Sequence, residues 1–132
     1  MESFSINIPI LLILLFTVIT FLQSGWDKIT DWSGNTGWLK GHFKNTFLEG
    51  MVPLLVGIIL LLEVIAGFLA LGGFFTLLLL DDPTLAMWSL ILAALTLLML
   101  LFGQRVAKDY PGAFTITGYF MVVVFGIFLL TA

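Results

Sequence analysis

From Val52 to Leu80 the chain carries one charged residue, Glu63, and every other position is apolar, glycine, proline or threonine. A run of that length exceeds what the core of a small soluble domain can bury, and it suits a helix crossing a bilayer. At about 1.5 Å per residue, a helix over residues 51–80 reaches roughly 45 Å, against a hydrocarbon core of about 30 Å. It must therefore tilt, bend near Gly72 and Gly73, or begin in the headgroup layer before Pro53. Pro53 suits the first helical turn, where its missing N–H is harmless.

Glu63 then becomes the residue to explain. A carboxylate in the middle of a bilayer costs several kcal/mol, so such residues face a protein interior or a wet cavity. Ala66, Gly67 and Ala70 follow at i+3, i+4 and i+7, on the same helical face. Small residues at that spacing let a second backbone approach closely. The expected packing surface is therefore Ala66, Gly67 and Ala70, with Glu63 looking into a helix–helix contact.

Three more apolar runs, at about residues 6–26, 85–103 and 112–131, repeat the pattern. With 132 residues, 61% hydrophobic and 10% charged, the chain suits one small helical membrane domain spanning 1–132. The predicted fold is an all-α membrane protein: four transmembrane helices in an antiparallel, up-down four-helix bundle. The four-residue link at 81–84 allows its flanking helices no other arrangement. The first run follows Glu2 rather than a basic segment, and no small-residue cleavage site succeeds it. It reads as a retained helix rather than a cleaved signal.

Charge fixes an expected orientation. All five basic residues, Lys28, Lys40, Lys44, Arg105 and Lys108, fall in the 27–50 link or the third link. The positive-inside rule places both links in the cytoplasm, giving N-out and C-out. Trp26, Trp32, Trp38 and Tyr110 at that side, and Trp88 near the other, match interfacial aromatic belts. Within the link, Trp38, Leu39, Phe43 and Phe47 fit either a short amphipathic surface helix or an irregular loop with interfacial aromatics. A net charge of −3 with no basic stripe argues against nucleic acid. The absence of cysteine excludes disulfide and thiol chemistry.

Few residues can carry chemistry. Thr17, Thr20 and Ser24 share a face of the first helix with Gln23 beside them, and Ser89, Ala93 and Thr96 form a similar stripe on the third. Thr17 and Glu63 lie at similar depth, so a neutral Glu63 could hydrogen-bond to such hydroxyls. That makes Glu63 either interhelical glue, worth about 1–2 kcal/mol, or a ligand- or proton-handling group. In the third link, Arg105 and Lys108 read as anchors to lipid phosphates, with Asp109 at the positive end of the fourth helix. The competing reading turns Arg105 inward, toward Glu63 or a bound head group. His42 is the only histidine, so a bis-histidine haem or a multi-histidine metal site is excluded. No catalytic triad, phosphate loop or carboxylate pair is present, and no catalytic or metal residue is assigned.

Gly25-Trp26-x-Lys28 closes the first helix, Glu63-x-x-x-Gly67 lies in the second, and Gly103-Gln104-Arg105-x-Ala107-Lys108-Asp109-Tyr110-x-Gly112-Ala113 follows the third. With the four helices, these motifs resemble the bacterial DoxX family over essentially the whole chain. The third motif is the specific one. The resemblance implies a multi-pass protein of the bacterial inner (cytoplasmic) membrane, surrounded by lipid and associated with other membrane subunits or with itself. It further implies a small integral subunit of a redox or respiratory-type complex, without catalytic activity of its own. The cofactor it points to is quinone, and the expected quinone or lipid pocket involves Glu63, Arg105, Gln104 and Gln23. The alternatives are a purely structural accessory subunit and a small proton-linked transporter. The membrane cysteine pairs of related branches have no counterpart here.

Overall fold

The computed structural model describes residues 2–132, with side chains from Asn7 onward. Five α-helices follow in order: α1 Glu2–Thr30, α2 Trp32–His42, α3 Val52–Leu80, α4 Thr84–Val106 and α5 Tyr110–Thr131, with a 3₁₀ turn at Glu49–Met51 leading into α3. All but α2 are long and apolar enough to cross a membrane. Their outward faces are bare hydrocarbon: Leu79 and Leu80 are each 72% exposed and Phe114 81%. Water would not tolerate that surface on a small monomer, whereas lipid is its natural solvent. The chain has the form of a multi-pass membrane protein.

Helix ends are set by local chemistry rather than by where apolarity stops. The first span runs beyond Trp26 to Thr30 and the third beyond Gly103 to Val106, because Asp27, Lys28, Gln104 and Arg105 are compatible with helix. Asp81 ends α3 in the left-handed conformation at φ 54°, with the Asp82 N–H donating to the Thr76 carbonyl. Asp82 in turn accepts from the Thr84 hydroxyl at 2.7 Å and the Thr84 N–H at 3.0 Å, and these bonds hold its carboxyl below the ordinary value. Asp109 caps α5 by accepting the Gly112 N–H at 2.9 Å. Pro53 sits in the first turn of α3. Of the two readings of the 27–50 link, the structure has the helix, α2, capped by Asp31; Phe43 and Phe47 fall beyond its end.

Helix α1 packs on α3, α3 on α4 and α4 on α5, while α5 touches α1 more sparsely. Leu14, Leu90, Leu97 and Val123 fill the centre beside the fully buried Ala66, Ala70, Ala86 and Ala93. Glycines mark the closest approaches. A Cβ on Gly73 would lie 2.6 Å from the Ala86 backbone nitrogen, so only glycine admits α4 at that distance. On Gly67 it would meet the Leu22 side chain of α1, and on Gly126 those of Leu90 and Ile13. The helix α3 runs unbroken through Gly72 and Gly73.

Candidate functional site

Glu63 is buried, its side chain 2% exposed, and it meets a cation: Lys28 Nζ stands 2.8 Å from Glu63 Oε1. Lys28 lies in the last turn of α1, and its ammonium also donates to Ser24 Oγ at 2.7 Å, one turn back. The approach to Glu63 Oε1 is close but poorly aligned, an ion pair without a well-formed hydrogen bond. The charge that made Glu63 costly in lipid is thus balanced across the α1–α3 contact.

The hydroxyls that share its depth do not bond to Glu63. Thr17, at 1% exposure, donates to its own Ile13 carbonyl; Ser89 donates to Ala86 O and Thr96 to Leu92 O. A hydroxyl on a helix always has the carbonyl three or four residues back within reach, and here that bond wins. The four expected pocket residues also separate. Glu63 and Gln23 line one cleft, Gln104 lines another, and Arg105 is exposed with its guanidinium 5.0 Å from the centre of the Tyr110 ring. Arg105 is not turned toward Glu63, because a cation–π contact is available to it at the surface. Ala66, Gly67 and Ala70 are buried, Gly67 against Leu22.

The two clefts flank the ion pair. The first, about 310 Å³, lies among α1, α3, α4 and α5, with Glu63, Gln23, Ser24, Asp27 and Tyr119 as polar lining and Leu97, Leu100 and Ile116 as apolar wall. The second, about 420 Å³, lies among α2, α3 and α4; it is walled by Phe43, Val56, Ile59 and Met99 and bordered by Lys28 and Gln104. Each partner of the pair therefore faces a different cleft.

A polar cluster ties α2 over the same end. His42 Nε2 is 3.0 Å from Gln104 Oε1 and 3.5 Å from Asp109 Oδ2. Trp38 stacks on the imidazole at 4.7 Å, and Phe43 meets it edge-on. Gly112 is fitted into this knot: a Cβ there would lie 2.6 Å from Asp109 Oδ2 and 2.7 Å from Gln104 Nε2. The Gln104–Gly112 motif thus builds a docking point for α2.

Lys28, His42 and Tyr119 are the residues that reasoning from sequence alone passed over as site members. Lys28 had a usable signal, since Thr17, Ser24 and Lys28 fall on one helical stripe if α1 is extended by one turn. His42 and Tyr119 had none, because their partners are distant in sequence. Among family models, characterised proteins and solved structures, none matches this chain.

Proposed function

We propose that the chain is an antiparallel, up-down four-helix bundle of the bacterial inner membrane, N-out and C-out, related to the DoxX family. In this reading it is a small integral subunit of a redox or respiratory-type complex and holds a quinone head group in the cleft beside Glu63. Support for the antiparallel order comes from contacts that run in opposite directions along α1 and α3: Asn7 with Asp81, then Leu22 with Gly67, then Gly25 with Val64 and Leu60. Support for the orientation comes from Lys40, Lys44, Arg105 and Lys108, which all lie in the links on one side.

One observation carries the cofactor reading: a buried Glu63, paired with Lys28, opens onto a cleft that is also lined by Gln23 and Tyr119. The cleft, about 310 Å³, is of the size that small-molecule sites occupy, roughly 300–1,000 Å³. Its few polar groups in an otherwise apolar wall suit a flat ring bearing two carbonyls. When bound, a quinone supplies two-electron, two-proton chemistry. The chain's own part is to orient it: Gln23 and Tyr119 donate to the carbonyls, and Leu97, Leu100 and Ile116 keep out water. The Lys28–Glu63 pair fixes the charge at the back of the cleft.

Glu63→Gln is a poor discriminator, because it strips Lys28 of its counter-charge and harms assembly whatever the function. Gln23→Leu combined with Tyr119→Phe leaves the pair intact. Quinone-dependent oxygen uptake of membranes carrying this variant should fall several-fold, with the yield of the extracted protein unchanged. Normal uptake at normal yield removes the quinone site. It would leave a structural accessory subunit, the second reading, which the Lys28–Glu63 tie between α1 and α3 favours.

A further inference from the structure

Helices α1 and α5 meet through two recorded contacts, both away from the 27–50 link. Gly126 of α5 faces Ile13 of α1, and Phe16 meets Tyr119 edge-on with ring centres 5.8 Å apart. From there toward the link, the cleft of about 310 Å³ lies between the two helices. Ile19, Gln23 and Asp27 line it from α1, and Ile116 and Tyr119 from α5. Ile19 is 61% exposed, and Gln23 and Asp27 are exposed too, so the α1 edge of the cleft is also the outer surface of the bundle. At about 1.5 Å per residue, Ile19 stands roughly 16 Å from the end of α1, a depth that belongs to hydrocarbon rather than water. Along α1 the lining passes from Asp27, Ser24 and Gln23 near the link to Ile19 deeper in.

We propose that this cleft is filled sideways from the bilayer, between α1 and α5, by a long-tailed ligand with an uncharged head, which deepens the quinone reading of the same cleft and rests on it. The α1 edge selects the tail. A head that reaches Gln23 and Tyr119 lies beside Ile19 and Ile116, so its tail stays in lipid while the head is held inside. The polar-to-apolar order along α1 matches that of the leaflet itself, head toward the interface and tail toward the middle. Charge selects the head. Asp27 and Glu63 are the charged residues on the lining, and Lys28, which is not on it, is directed at Glu63. A carboxylate or phosphate head would enter beside acids with no cation free to meet it. An uncharged ring needs only hydrogen-bond donors, and the Gln23 amide and Tyr119 phenol can supply them.

The test uses the full chain in lipid nanodiscs and three photoactivatable probes, each with a diazirine beside its head: a benzoquinone on a long alkyl tail, a carboxylic acid on the same tail, and a benzoquinone without a tail. Crosslinks are located by mass spectrometry, and labelling of the buried Leu97 is read relative to the lipid-facing Leu12. The tailed quinone should exceed the tailed acid about tenfold, a modest share of the cost of burying an unpaired charge. Ile19→Trp and Ile116→Trp, on opposite edges of the mouth, should each cut labelling by the tailed quinone several-fold. The tail-less ring, which can also enter past Asp27, should keep its labelling in both. Ile19 is largely exposed, so its variant folds even if Ile116→Trp does not. No labelling of Leu97 by either ring would overturn the quinone reading and this inference with it. Ring labelling with the tailed probe indifferent to the mouth variants, or an acid that labels as well as the ring, would overturn this inference alone.

Discussion

The two ends of the molecule are built on opposite principles. Toward the 81–84 turn, helices meet through small residues: Gly73 against the Ala86 backbone and Gly126 against Leu90 and Ile13. At the other end two clefts open between helices, and charged or polar side chains link them: Lys28 with Glu63, and His42 with Gln104 and Asp109. In lipid, helices gain nothing from hiding leucine, so association comes from close packing or from polar contacts. This chain uses the first at one end and the second at the other. The close-packed end fixes the frame, and the polar end holds the two clefts.

Breaking the polar end should cost most. Lys28→Met leaves a carboxylate buried without its cation, and such a loss destabilises by about 3–5 kcal/mol. Thermal unfolding in mild detergent should show it as the largest shift of any single variant. A neutral result would mean that the ends do not differ as described. At the packed end, Gly73→Ala pushes a methyl into the α4 backbone and should cost about 1–3 kcal/mol. Gly67→Ala should cost less in the same assay, since the Leu22 side chain it meets can rotate away. Equal losses would show that both contacts yield alike. Smallest is His42→Ala, which removes one hydrogen bond and a ring stack and should cost about 1 kcal/mol. Its sharper signature is faster protease cleavage within residues 43–48, with cleavage in the 81–84 turn unchanged.

Much of the packed end could be read from residue types alone. Run lengths located the spans, and the Ala66, Gly67 and Ala70 spacing marked a face that the structure buries. The polar end resisted for a physical reason. Apolarity stops at Trp26, but a helix does not, and the extra turn to Thr30 carries Lys28 to Glu63. Lys28 reads from sequence as a surface charge, which leaves Glu63 without a visible cation. Thr17, Ser89 and Thr96 looked like its partners because sequence shows a shared face, not the stronger claim of each hydroxyl on its own helix. His42 was informative only as a lone histidine, since nothing local joins it to Gln104 and Asp109 across the fold.

Lys28 and Glu63 form one paired unit across α1 and α3. A double-mutant cycle tests it, with unfolding of Lys28→Met, Glu63→Leu and the combined variant compared in one detergent. Each single change leaves a buried charge alone, whereas the double leaves none, so the combined variant should be more stable than either single by about 3–5 kcal/mol. Losses that simply add would contradict the pairing and return Glu63 to an isolated carboxyl in the membrane.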